Sequence, residues 1–249
     1  MPIIEINHIT KQFERKIALS SLSFHVEKGE TVALIGPSGA GKSTLLNLLA
    51  GITAPDNGTY LLNGNAIQQF KNRKELARKI GVIRQQFDLI GALPVIQNVL
   101  AGRLGEWGFF KSMLSLFLPQ DKQLAANALH RVGLLDKIYD QTSKLSGGEQ
   151  QRVALARLLV QSPEVILADE PVASLDPARA EDILAMLTKL VNEEKQTLVM
   201  SLHSVEYATK YFSRIIALRD GEIFFDLPTN QITKEQLANL YVLKEMSER

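Results

Sequence analysis

The sequence predicts an α/β fold, a sheet interleaved with helices and carrying a helical insert. Three observations point there. Short apolar, β-branched runs alternate with stretches of helical period. One such run, Thr31–Ile35, leads into a glycine-rich turn and then a helix. The section from about Gln97 to Gln161 breaks the alternation and reads almost wholly helical.

Each element follows from its residues. Ile4 and Ile6 alternate with polar neighbours, as do Leu22, Phe24 and Val26, so both segments predict half-buried strands. Thr31–Ile35 (TVALI) predicts a buried strand, and Leu45–Ala50 the helix beyond the turn. In the helical section, Leu124, Ala128, Leu129 and Val132 fall on one stripe. Val165–Ala168 and Leu198–Met200 predict two more buried strands. Between them Ile183, Leu184, Leu187, Leu190 and Val191 recur at helical spacing. Ile215–Leu218 and Ile223–Phe225 predict late strands around a turn at Asp220-Gly221, and a short polar helix begins at Lys234.

Composition removes several function classes. The chain has 249 residues, with 28 Lys+Arg against 27 Asp+Glu, a net charge of +1. A charge so near zero predicts no nucleic-acid partner. The absence of cysteine excludes a disulfide framework, an iron–sulfur cluster and a thiol nucleophile. The opening MPIIEINHITKQF is charged and alternating, unlike a secretory signal. No apolar run reaches about 18 residues, so no membrane-spanning helix is expected. The most apolar stretch, Trp107–Leu118, is too short and too interrupted to span.

Residues 36–44 read Gly36-Pro37-Ser38-Gly39-Ala40-Gly41-Lys42-Ser43-Thr44 and fit G-x-x-x-x-G-K-[ST] without a mismatch. The glycines let the backbone turn several N–H groups toward one anion. The helix that follows adds partial positive charge at its start. Lys42 is expected to reach the β- and γ-phosphates of a nucleotide, and Ser43 to place its hydroxyl on Mg²⁺.

Val165–Glu170 (VILADE) is an apolar strand ending in two acids. Ligands bind off the carboxyl ends of strands in open α/β sheets. Asp169 is therefore expected to hold Mg²⁺, directly or through its water, since hard oxygen donors suit that ion. Glu170 is the expected base or orienting group for an attacking water. Motif order alone divides these roles, and two solvated acids at a strand end are the alternative.

Four further segments carry a family resemblance. Leu145-Ser146-Gly147-Gly148-Glu149-Gln150-Gln151-Arg152 resembles the signature motif of ABC-transporter ATPases. Ser174-Leu175-Asp176 resembles the family's D-loop, His203 its switch histidine and Gln85 its Q-loop glutamine. All stand in family order, and the resemblance covers essentially the whole chain. It implies a P-loop NTPase core with an N-terminal antiparallel β subdomain and an inserted helical subdomain at roughly 97–161. All of this falls within a single nucleotide-binding domain spanning 1–249.

The resemblance also implies a mechanism and partners. Bare N–H groups and a hydroxyl at a helix start make 146–148 a second anion site. In the family, two ATPase subunits pair head to tail. Each ATP lies between one subunit's phosphate loop and the other's signature, here Ser146, Gly147, Gly148 and Glu149. The implied cofactors are ATP and Mg²⁺. The implied assembly is a homodimer of ATPase subunits with two integral-membrane permease subunits and a solute-binding protein. Its implied place is the cytoplasmic face of the cell (inner) membrane. Glu170, His203 and Gln85 are implied as catalytic. Gln85 joins Ser43 and Asp169 around the metal, His203 contacts the γ-phosphate, and Asp176 works across the dimer.

Three stretches are similar, more narrowly, to the ATPase subunits of phosphonate importers. They are Asn98–Gly105 (NVLAGRLG), Leu167–Pro177 (LADEPVASLDP) and Ser201–Ala208 (SLHSVEYA). They imply uptake of a phosphonate or related phosphorus oxyanion. Another solute importer, or a lipoprotein-release or efflux system, is the alternative. The chain departs from the family pattern in four places. Glu149 stands where glutamine is commonest, Val172 where most relatives have Thr or Ser, and Arg84 where an aromatic is frequent. Phe13 stands where the adenine-stacking aromatic is often Tyr; it stacks through its π face or packs as a core residue on a β-edge. Trp107, Phe109, Phe110 and Phe117 share one segment. They form either the core of the helical insert or a groove for a cytoplasmic helix of the membrane subunit.

Overall fold

The computed structural model describes residues 1–242 except 15, 71, 85, 86, 116–119 and 174, and the backbone alone of Arg73 and Phe109. The chain begins with β1 (Pro2–Phe13), β2 (Lys16–Glu27), β3 (Thr31–Ile35), α1 (Lys42–Leu49), β4 (Asn57–Leu62) and β5 (Asn65–Ala66). It continues through α2 (Arg73–Lys79), β6 (Ile80–Ile83), α3 (Val95–Leu100), α4 (Phe109–Ser115), α5 (Lys122–Arg131), α6 (Gly147–Gln161), β7 (Val165–Asp169) and α7 (Pro177–Glu193). It closes with β8 (Thr197–Ser201), α8 (Val205–Tyr211), β9 (Arg214–Arg219), β10 (Glu222–Pro228) and α9 (Lys234–Tyr241). Two compact units result, one of Met1–Gln69 with Leu198–Arg249 and one of Phe70–Thr197.

In the first unit, β2, β1, β4 and β5 form an antiparallel sheet in that order. Ile4, Ile6, Leu22, Phe24 and Val26 are buried while Asn7, Ser23 and His25 face outward, the alternation of a sheet with one solvated face. The interval from Ile6 to Ile9 is odd, yet both are buried. A bulge explains this, because Ile6 opposes Phe24 and Ile9 opposes Leu22, three residues against two. Tyr60 on β4 is fully buried, and its hydroxyl donates to the Leu49 carbonyl at the end of α1, 2.9 Å away. Burial pushes that hydroxyl far above its ordinary pKa.

The same unit holds β3 between β8 and β9, parallel to both. All five residues of β3 and of β8 are buried, as strands covered on both faces require. β9 and β10 form a hairpin whose turn takes left-handed φ at Asp220 (53°) and Gly221 (80°), the primed geometry that matches strand twist. The Arg214 guanidinium closes the open end of that hairpin, donating twice to Asp226 at 2.6 Å.

In the second unit β6 pairs with β7, again in parallel. From Val95 to Gln161 the regular elements described are helices α3 to α6 and short 3₁₀ turns. Helix α6 lies at the centre of the unit. Its Gln161 side chain donates to the carbonyls of Ala77 and Ile80. Gly81 and Gly102 allow the close approach. A Cβ at Gly81 would stand 2.5 Å from the Leu158 side chain, and one at Gly102 would stand 2.5 Å from the Arg157 carbonyl. The expected stripe on α5 is narrower than its spacing suggests. Ala125, Ala128 and Leu129 are buried, but Leu124 is more than a third exposed.

Candidate functional site

The phosphate loop follows β3, and its shape is imposed from behind. Gly36 (φ 145°), Gly39 (81°) and Gly41 (104°) are all left-handed. A side chain on Gly36 would meet the Leu218 carbonyl at 2.1 Å, and one on Gly41 would meet the Ala18 carbonyl at 2.6 Å. The Gly221 amide donates to the Ala40 carbonyl at 3.2 Å. The loop is thus braced by β2 and by the β9–β10 hairpin. Its mouth is open, with Ser38, Gly39 and Ser43 exposed. Helix α1 starts at Lys42 from an N-cap, Gly41, that offers no capping side chain. Helix starts of this kind favour an anion. The Lys42 ammonium is buried inside the loop, donating to the Gly36 carbonyl at 2.8 Å and the Pro37 carbonyl at 3.2 Å. It therefore rests where a bound phosphate can recruit it by a short swing of its stem.

His203 reaches the same edge. β3 and β8 are parallel and in register from Thr31 with Leu198 to Leu34 with Ser201, and the Leu202 amide extends the ladder to the Leu34 carbonyl. His203 and Gly36 therefore leave neighbouring strands at their carboxyl ends, where α/β sheets bind ligands. Phe13 ends β1 nearly half exposed, so its ring is no core residue.

The second unit carries the acids. β7 delivers Asp169 at its last position, and Glu170 follows in left-handed conformation at φ 48°. Such a φ is costly for a residue with a Cβ and persists where the surroundings fix it. The turn is held by the Ala173 amide on the Glu170 carbonyl. Val172, the departure from Thr or Ser, is buried, which suits an apolar side chain. Asp176 caps α7, accepting from the Arg179 amide at 3.1 Å and pairing with the Arg179 guanidinium at 3.2 Å. Among the described residues no three His, Asp or Glu gather into a metal cage.

The signature residues begin α6. Ser146 is the N-cap and Glu149 the third helical residue, and they form a reciprocal capping box. Glutamic acid therefore serves at position 149 as well as glutamine would. Gln151, almost wholly buried, donates to the Pro171 carbonyl and ties α6 to the loop that carries Glu170. Arg157 donates to the carbonyls of Phe87 and Asp88. Among the described residues Arg84 makes only an exposed pair with Asp88 at 3.4 Å, which accounts for no role in the site. Gln85 and Ser174 lie outside the described residues. The aromatic segment divides: Trp107 is buried, Phe110 is 85% exposed, and the Phe109 side chain and Phe117 lie outside the described residues.

Asn98 was legible only as a mark of resemblance, yet it organises the loop before α3. It is buried, accepts from the Ile90 amide at 2.8 Å and donates to the Ile90 carbonyl and the Thr142 hydroxyl, both at 2.9 Å.

A family model described as ABC transporter matches residues 19–173, more than half of the chain. The chain belongs to the ABC transporter family. It is 43% identical over 242 residues to the Phosphonates import ATP-binding protein PhnC 1 of Nostoc sp., covering 96% of this chain and 91% of that one. A protein of the same name from Pseudomonas syringae pv. tomato is 45% identical, with 93% and 88% covered. Among solved structures it resembles cbiO1 from Clostridium perfringens, part of the ABC transporter complex cbiONQ. The TM-score is 0.81 at 25% identity, covering 96% and 93%. It also resembles the ATP-binding cassette MJ0796 in a dimeric post-hydrolysis state bound to ADP and Pi. That TM-score is 0.73 at 30% identity, covering 91% and 98%. The α/β cassette fold expected from the sequence is therefore borne out. No described helix is long and apolar enough to cross a membrane.

Proposed function

We propose that this ABC ATPase hydrolyses Mg·ATP to drive uptake of a phosphonate or a related phosphorus oxyanion. Identity of 43–45% to phosphonate-import ATP-binding proteins, over more than nine-tenths of the chain, carries this reading. Residues 1–249 act as a single nucleotide-binding domain with its helical subdomain at roughly 97–161.

The roles follow from the donors present. Residues 36–44 wrap the phosphates, with Lys42 leaving the loop carbonyls for the β- and γ-oxygens. Phe13 stacks on adenine. Ser43, Asp169 and Gln85 would hold Mg²⁺; hydroxyl, carboxylate and amide are all hard oxygen donors and fit that ion. When bound, the ion neutralises charge between the phosphates. Glu170 orients and deprotonates water in line with the γ-phosphate, and His203 contacts that phosphate from the end of β8. Ser146, Gly147, Gly148 and Glu149 of one subunit face the ATP of the other, with Asp176 beside them. The working unit is a homodimer on the cytoplasmic face of the membrane, with two permease subunits and a solute-binding protein. The exposed Phe110 belongs to the surface that meets a permease helix.

The test is genetic and enzymatic together. Removing the gene should abolish growth on a phosphonate as sole phosphorus source while growth on phosphate persists. Wild type should restore it, and Glu170→Gln should not. Phosphonate growth that survives the deletion undiminished would overturn the substrate. A purified wild-type subunit without ATPase activity, alone or with its permease, would overturn the class.

A further inference from the structure

The three left-handed glycines of the phosphate loop face different surroundings. Gly36 and Gly41 abut backbone carbonyls, whereas Gly39 faces open space. Among the described residues, chain neighbours aside, the one heavy atom within 4 Å of a Cβ built there is the Lys16 ammonium nitrogen, at 3.9 Å. Lys16 opens β2 directly opposite Phe13, the last residue of β1. Opposed residues of an antiparallel pair project to the same face. Lys16 is exposed, and its ammonium forms no ion pair among the described residues. We infer that Lys16 is a further nucleotide-binding residue, a second cation that reaches the triphosphate across Gly39.

This rests on the ATP reading above and adds a contact to the same site. Gly39 lies exposed in the loop mouth, where a phosphate can approach the bare backbone. Lys42 enters from beneath, held by the carbonyls of Gly36 and Pro37. Lys16 enters from the rim. An ammonium on a four-carbon stem is a compact, mobile point charge, suited to a polyanion whose position shifts during turnover. One end of the β1–β2 hairpin thus offers a ring for the base and a cation for the phosphates. The nine-residue motif gives no sign of Lys16, which stands 23 residues before Gly39 in the sequence and meets it only in the fold.

Affinities of the full chain for Mg·ATP and for AMP, measured for wild type, Lys16→Ala and Lys16→Arg, test this. Lys16→Ala should weaken Mg·ATP on the order of tenfold and leave AMP unchanged. Lys16→Arg should keep most of the affinity. The gap between wild type and Lys16→Ala should close at high salt, since the contact is solvent-exposed. Unchanged Mg·ATP affinity in Lys16→Ala overturns the assignment. So does an equal loss for ATP and AMP, which marks damage to the Phe13 base contact. Failure of the ATP reading is distinguishable: wild type itself would then bind no Mg·ATP, and both would fall together.

Discussion

Ser146 and Glu149 hold one another at the start of α6. The Ser146 amide donates to the Glu149 carboxylate at 2.8 Å, and the Glu149 amide donates to the Ser146 hydroxyl oxygen at 3.4 Å. An amide oxygen can accept the first bond as a carboxylate does. Glu149→Gln should therefore melt like wild type at neutral pH, whereas Glu149→Ala should lose about 1 kcal/mol. Thermal unfolding measures both, and an Ala variant as stable as wild type would remove the cap from the account.

The same pair sets a pH dependence. Hydrogen bonds from the Ser146 backbone, then from its side chain, lower the Glu149 pKa below its ordinary value of 4.5. The folded form thus favours the carboxylate. Its stabilisation is full above the ordinary pKa and disappears as pH falls through the lower folded one. Wild type should lose stability relative to Glu149→Gln on acidification below about pH 4.5. Parallel curves for the two proteins from pH 6 to 3 would contradict this.

Gly41, the N-cap of α1, is one of the phosphate-loop glycines pressed against backbone. A Cβ there would meet the Ala18 carbonyl at 2.6 Å and the Leu19 side chain at 2.9 Å, at φ 104°. Gly41→Ala should cost roughly 2–4 kcal/mol of stability and abolish nucleotide binding. Gly39→Ala meets no backbone and should cost only about 1 kcal/mol, from its φ. Denaturant midpoints rank the two, and the reverse order would contradict the bracing of the loop from behind.

Glu170 combines the expected chemistry with an unfavourable backbone. Glu170→Gln should keep ATP affinity and abolish steady-state turnover, read by nucleotide binding and phosphate release. Glu170→Gly should be about 1 kcal/mol more stable than Glu170→Ala, because glycine tolerates φ 48°. Equal stability of the two would mean that the turn is unstrained.

Asn98→Leu keeps the volume of a buried side chain but strands the Ile90 amide and carbonyl that Asn98 pairs. The expected loss is about 2–4 kcal/mol, measured by chemical denaturation. A change within about 0.5 kcal/mol would show that water replaces both bonds.

What the sequence made legible was local. β3, β7, β8 and β9 are continuous apolar runs, and the phosphate loop is nine adjacent residues. β4 escaped because its first half, Asn57-Gly58-Thr59, is exposed and without an apolar residue, and only Tyr60 and Leu62 are buried. β6 escaped because it has four residues, one of them Gly81, whose purpose is the approach of Leu158 and Pro163 from far along the chain. Asn98 could be seen as a family mark but not as a brace, since Thr142, one of its partners, is 44 residues away. The role of Asp176 as a helix cap was hidden by its place in a motif.

Helix α6 has 15 residues, a rod of about 22 Å. Ser146 and Gly147 stand at one end of it and Gln161 at the other. Along its length Gln151 holds the Pro171 carbonyl, and Arg157 holds the carbonyls of Phe87 and Asp88. A helix cannot be compressed by a fraction of a turn without breaking its own bonds. Any displacement at its tip is therefore delivered whole to the backbone beside Glu170 and to the backbone just past Gln85. On the proposed reading of Ser146 as a phosphate contact, an anion held there would carry those backbones with the helix, with no relay of side-chain flips in between.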